Sequence, residues 1–230
     1  MDKDSARSIK AIETWGGHSF CCIQHAMEDF GIDVAVVATN DGQHYEPLKQ
    51  LAEYPLKLVI CEKPLCDNLQ HAREVVALYK AKGIPLMVDY TRRFLPVYED
   101  LRQRYWRGEL GECLYIQATF NRGFLHSGSH AADFIHWFGG NFLQGIPPYQ
   151  LKYVDGADYR IWQLDVYFEN YHWREERIGD MPVPAWADHH MRYVAENAHN
   201  FLEGREALKC TGEDSLRSLE MCFELMGASQ

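Results

Sequence analysis

Three short apolar runs punctuate the first part of the chain: Val34-Ala35-Val36-Val37-Ala38, Leu56-Lys57-Leu58-Val59-Ile60 and Pro85-Leu86-Met87-Val88. Near-continuous runs of this kind suit parallel strands that are covered on both faces. Between them, Tyr45 to Ala52 and Leu69 to Lys82 carry helical spacing. The second of these has Asp67 or Asn68 as an N-cap and stops at Gly83, with Pro85 behind it. Such β-α-β-α-β alternation predicts a right-handed parallel sheet of the doubly wound type.

The pattern changes near residue 93. Residues 97–107 read as an amphipathic helix, Gly108-Glu109-Leu110-Gly111-Glu112 as a turn, and Cys113 to Phe120 as a half-exposed strand. A helix is predicted from His130 to Phe138, ending at Gly139-Gly140. Residues 150–178, including Tyr159 to Phe168, are aromatic and strand-like, and two helices close the chain at about 187–203 and 213–226. The fold class is therefore α/β. Residues 1–92 read as a partial, Rossmann-like parallel sheet. Residues 93–230 read as an α+β domain with an open, mainly antiparallel sheet, and the final helices are free to pack back on the first domain.

Composition narrows the function classes. With 230 residues and a hydrophobic fraction of 47% the chain can bury a full core. A net charge of -10, with no basic cluster, opposes nucleic acid and anionic membranes as partners. Seven cysteines, an odd number without paired spacing, point to a reducing compartment. No apolar stretch is long enough to span a bilayer, and the first residues lack the apolar core of a signal peptide, so a cytoplasmic location is expected.

In an open parallel sheet, ligands gather beyond the carboxyl ends of the strands. Those ends carry Thr39-Asn40-Asp41-Gly42-Gln43-His44, then Glu62-Lys63-Pro64, then Asp89-Tyr90-Thr91-Arg92-Arg93, all expected to face one crevice. Lys63, directly after an apolar strand, suits polarisation of a hydroxyl or carbonyl oxygen, and a surface lysine at a strand end is the competing reading. A second constellation is His126, His130 and Asp133. The histidines are candidates for proton exchange, with packing groups and a dipole-favoured first-turn acid as the alternatives. With His136 the same residues offer metal ligands, but at i, i+3 and i+6 His136 drifts round the helix from His130, and no metal ligand is assigned. His172, His190 and His199, with His189, read as surface or capping groups.

The pieces also occur in a known order: Asp33 to Asn40 with His44, Glu62-Lys63-Pro64, Arg92-Arg93-Phe94 with Pro96, Gly108 to Glu112, Gly128-Ser129-His130 with Asp133 and Gly139, and Thr211-Gly212-Glu213-Asp214 before a helix. This set resembles the Gfo/Idh/MocA family, the glucose-fructose oxidoreductase and inositol dehydrogenase-like proteins, over nearly the whole chain. The resemblance implies hydride transfer between NAD or NADP and a sugar, polyol or related carbonyl compound. It implies that Thr39, Asn40, His44, Glu62, Lys63 and Pro64 meet the cofactor, and that His130 transfers the proton with Lys63 and His126 beside it. It also implies that residues 1–92 are the dinucleotide-binding domain and residues 93–230 the substrate domain, with a homo-oligomer built through the C-terminal sheet. Arg93 and Arg122, with Asp133, are candidate substrate contacts, and the arginines suit an anionic sugar.

Three departures qualify the resemblance. No GxGxxG turn occurs anywhere in the sequence, so the first βαβ of about 30 residues is expected to be missing. His126 stands where the family usually has an aspartate. The stretch after Gly140 is short for the family's sheet. A weakened or lost cofactor site, an edge strand at Val34 to Ala38 covered by residues 5–30 or by another chain, and a non-catalytic binding or regulatory role are therefore expected alternatives, with a metal-dependent hydrolase behind them.

Overall fold

The first sheet takes its order from its apolar runs. In the computed structural model, which describes residues 2, 4–139, 148–179 and 190–228, β1 (Val34–Val37), β2 (Leu58–Glu62) and β3 (Leu86–Asp89) are parallel, in the order β1-β2-β3. The register pairs Val37 with Cys61, Cys61 with Val88 and Glu62 with Asp89, so the three carboxyl ends lie side by side. Helices α3 (Tyr45–Leu51) and α4 (Leu69–Lys82) form the crossovers. The Asn68 side chain caps α4 by accepting from the amides of Gln70 and His71, and Gly83 ends it at φ 67°, a conformation that Cβ-bearing residues resist.

Before this sheet, α1 (Ser5–Trp15) and α2 (Ile23–Asp29) flank β1. Ile23 and Met27 pack on the first core, yet Val36 remains 62% exposed. Residues 5–30 thus cover the edge of β1 only in part.

The second half begins with α5 (Pro96–Trp106), which has proline in its first turn, where no amide donor is needed. There follow β4 (Cys113–Phe120), a π-turn at Phe124–Gly128, α6 (Ser129–Gly139), β5 (Tyr149–Tyr153), β6 (Ile161–Phe168) and β7 (His172–Ile178). The second sheet has the order β5-β4-β6-β7. Its β4–β6 and β6–β7 pairs are antiparallel, whereas β4 and β5 run parallel. The parallel pair needs a crossover, and α6 lies within it.

Two hydrophobic cores result, one around Leu48, Leu58, Val59 and Met87, the other around Tyr98, Ile116, Phe134 and Leu164. Helix α7 (His190–Leu202) and α8 (Gly212–Ala228) return to the first core through Val194, Ala198 and Leu219, and Thr211 bridges to Met87. Gly140 and His189 lie outside the described residues. Among the described residues no helix is long and apolar enough to cross a membrane.

Candidate active site

The carboxyl end of β2 delivers Lys63 to the π-turn that precedes α6, where the strand ends of the first sheet meet the second half of the chain. Its Nζ donates to the backbone oxygen of His126 at 3.1 Å and lies 3.3 Å from that ring's Nδ1. The same Nδ1 is 2.7 Å from Oδ2 of Asp41, which sits in the short turn after β1. One nitrogen cannot serve both partners, and the shorter contact decides it: Nδ1–H donates to Asp41 while Lys63 holds the carbonyl. Burial lowers the pKa of Lys63, and Asp41, Glu62 and Asp89 oppose that effect. Its exposed neighbours Asp41 and His126 therefore tie a partly desolvated ammonium to the second half of the molecule.

The close approach depends on the π-turn. A Cβ on Gly128 would stand 2.7 Å from the Phe120 ring, so only glycine lets this turn lie against β4. One residue beyond Ser129, His130 packs edge-on against Tyr90 and Trp162. Burial, then Arg92, Lys63, His126 and Arg160, push its pKa well below the ordinary histidine value. The ring is consequently neutral near pH 7, the form that accepts a proton.

The arginines divide into two kinds. Arg92 forms a two-point ion pair with Glu175, which also accepts from Tyr98, and its guanidinium lies 4.0 Å above Trp162. Arg93 is bound two-pronged to Asp133, with 3% and 2% of their side chains exposed. Ser218 donates to the same carboxylate, and Arg93 also reaches the oxygen of Lys209. The expected substrate role of Arg93 and Asp133 is thereby corrected: they bind each other in the interior and fasten α6 to α8.

By contrast, Arg122, Arg160 and Arg177 have no ion-pair partner among the described residues. Asn121 sets two of them side by side, donating to the Tyr159 oxygen and accepting from the Ile161 amide. Arg177 faces Trp162 in the β6–β7 register, and its buried Nε has no hydrogen-bond partner among the described residues. Desolvation, followed by the charges of Arg177, Arg122 and Arg92, lowers the pKa of Arg160. Arg160 also acts electrostatically on Lys63 and His130, which places it near both.

The cofactor candidates are similarly sorted. His44 is buried, with Nδ1 2.8 Å from the Pro64 oxygen and Nε2 2.9 Å from the Thr39 oxygen. Its expected contact with a cofactor is corrected to a clamp between two strand ends, because both ring nitrogens already face carbonyls. The Thr39 hydroxyl donates to the Gln43 oxygen. Thr39 and Asn40 line a cavity of about 630 Å³ along the open edge of β1, together with Ala38 and Pro47. Glu62 pairs with Asp89 across the strand ends, and Lys63-Pro64 is a cis peptide. The carboxyl of Asp89 is pushed up to about 6, chiefly by burial and then by Glu62.

His126, His130, Asp133 and His136 do not assemble as metal ligands. Among the described residues the one group able to do so is Cys21, Cys22 and His25, far from this constellation in sequence. Reading the sequence also left Asp41, Arg160 and Arg177 out of the site. Asp41 lay within a strand-end loop already under suspicion, whereas nothing in the local pattern distinguishes Arg160 or Arg177.

Residues 1–90 match the family model GFO_IDH_MocA, whose description is an oxidoreductase family with an NAD-binding Rossmann fold. The first 90 residues of the chain are thus similar to the Gfo/Idh/MocA family. Among curated proteins similar to this chain is scyllo-inositol 2-dehydrogenase (NAD(+)) of Bacillus subtilis, 31% identical over 150 residues, which are 64% of this chain and 41% of that protein. Another is the trans-1,2-dihydrobenzene-1,2-diol dehydrogenase of Mus musculus, 34% identical over 119 residues, 52% of this chain and 35% of that one. The chain thus spans less than half the length of these two proteins. The fold also matches the crystal structure of GenD2 from gentamicin A biosynthesis in complex with NAD, at a TM-score of 0.79 and 15% identity, over 96% of this chain and 83% of that one.

Proposed function

We propose that the crevice transfers a hydride between a nicotinamide dinucleotide and the hydroxyl or carbonyl group of a sugar or polyol that carries an anionic substituent. The observation that carries this reading is the Lys63 ammonium, fixed at a strand end by His126 and Asp41 beside a neutral His130. Thr39 and Asn40 on the cavity, with Glu62 at the strand end, fit the nicotinamide side of such a cofactor. A bound nicotinamide supplies the hydride acceptor or donor. The chain's own groups do the rest: Lys63 donates a hydrogen bond to the reacting oxygen, and His130 takes up its proton. Arg122, Arg160 and Arg177 meet the anion, since three unpaired cations repel one another until one arrives.

The seven free thiols support a cytoplasmic setting, and the open second sheet supplies a face for a homo-oligomer. A second reading, a binding member of the same fold, follows from the imidazole that His126 sets beside Lys63 in place of the carboxylate expected of a catalytic member. Reduction of NAD and NADP, followed by absorbance over a panel of polyols and sugar acids, separates the two. The oxidoreductase reading expects turnover that falls about 100-fold or more in Lys63→Met. Saturable sugar-acid binding without any turnover would establish the binding protein instead.

A further inference from the structure

Outside the crevice, two thiols and an imidazole converge at the start of α2. Cys21 and Cys22 precede the helix and His25 lies in its first turn, so the i to i+4 spacing returns the ring to Cys21. The sulfurs of Cys21 and Cys22 are 3.9 Å apart, and the Cys21 sulfur is 3.1 Å from Nδ1 of His25. All three ligand atoms lie within 4.8 Å of one another, and among the described residues no other group of histidine, cysteine and acidic side chains does this.

We propose that Cys21, Cys22 and His25 form a binding site for a thiophilic divalent cation, zinc above all. The proposal shares no residue with the crevice and does not depend on its function. Tetrahedral zinc, with bonds of about 2.3 Å to sulfur and about 2.0 Å to nitrogen, separates two sulfurs by about 3.8 Å and a sulfur from a nitrogen by about 3.5 Å. The sulfur pair already stands at that distance, and the Cys21–His25 hydrogen bond needs to open by only a few tenths of an ångström. Two thiolates with one imidazole form a soft donor set that selects zinc over magnesium or calcium. Cys21 and His25 are exposed, so water completes the fourth corner. Binding one Zn²⁺ replaces two thiol protons, which are released to solvent, while the imidazole binds as the neutral ring.

The place gives the site a structural effect. The neighbouring Phe20 packs edge-on against Phe30 and, with Ile23, lines the cavity beside the exposed edge of β1. A cation held here fixes the turn between α1 and α2 against that edge. The five remaining cysteines are buried, so they do not compete for added metal.

The test is a cobalt titration of the whole, freshly reduced and metal-free chain, followed by displacement with zinc. The expected result is one equivalent of Co²⁺ with a thiolate charge-transfer band, about two protons released, and loss of the band on adding Zn²⁺. The band should vanish in Cys21→Ser/Cys22→Ser, and affinity should fall at least about tenfold in His25→Ala, with circular dichroism confirming that each variant folds. A titration without the band, a band unchanged in the double variant, or a Cys21–Cys22 disulfide that persists after reduction would each overturn the proposal.

Discussion

Arg93 and Arg160 both act on residues of α6, but they stand in opposite situations. Arg93 is interior and answered by Asp133, Lys209 and Ser218's shared hold on the carboxylate. Arg160 is exposed, has no ion-pair partner among the described residues and lies within reach of two further unanswered cations. An ion pair that is already complete has no donor left for a ligand, whereas a cluster of like charges stores a repulsion that a ligand can relieve. The first arrangement holds the two halves of the molecule together; the second leaves its cations open to the proposed anion. Sequence proximity to the active segment does not distinguish them, since Arg92 and Arg93 follow β3 directly while Arg160 comes from a remote loop before β6.

The largest effect expected from this contrast is on stability. Arg93→Met leaves the Asp133 carboxylate buried without its cation and should destabilise the fold by about 3–5 kcal/mol in urea unfolding. A loss below about 1 kcal/mol would show that the pair is not what fastens α6.

Asp89 is the acidic counterpart, a buried carboxyl beside Glu62 with the Thr91 hydroxyl as its donor. Because its folded pKa of about 6 lies above the unfolded value near 3.9, it stabilises the fold at low pH, and that contribution is lost as pH rises through about 6. Asp89→Asn should therefore gain on the wild type by on the order of 2 kcal/mol between pH 4 and pH 7, read as the difference between their unfolding curves. An unchanged difference across that range would place Asp89 with the answered groups. The smallest effect belongs to Arg160→Gln, which should leave stability within about 0.5 kcal/mol of the wild type, because no ion pair among the described residues is removed.

How much of this was legible in the sequence follows from what each feature depends on. Helix α4 was readable to the residue because Asn68 and Gly83 are local signals, and β4 because its alternation is local too. Strand β2 is displaced by two residues from its apolar run, Leu56 to Ile60. Its ends are set by partners: Lys57 donates to the Asp33 oxygen, and Glu62 is held by Asp89. The parallel pairing of β5 with β4 likewise rests on tertiary placement.

The structure brings together Lys63, His126 and His130, which the sequence singled out because each belongs to a motif. Asp41 was not assigned, since its contact with His126 joins residues 85 positions apart. It places a carboxylate on the very histidine that stands where the family usually has an aspartate. Arg160 and Arg177 had no local signal at all, and Arg93 and Asp133 were misassigned because pairing across 40 residues cannot be read from either neighbourhood.

The central claim is that the unanswered arginines beside Lys63 receive an anion. Isothermal titration of the wild type and of Arg160→Gln with a hexuronate and with the matching uncharged hexose at low salt tests it directly. The account predicts that the wild type binds the uronate at least about tenfold more tightly, a difference of about 1.4 kcal/mol, and that the preference collapses in Arg160→Gln while hexose binding is unchanged. Equal affinity for the two sugars, or a uronate preference that survives the substitution, would contradict it.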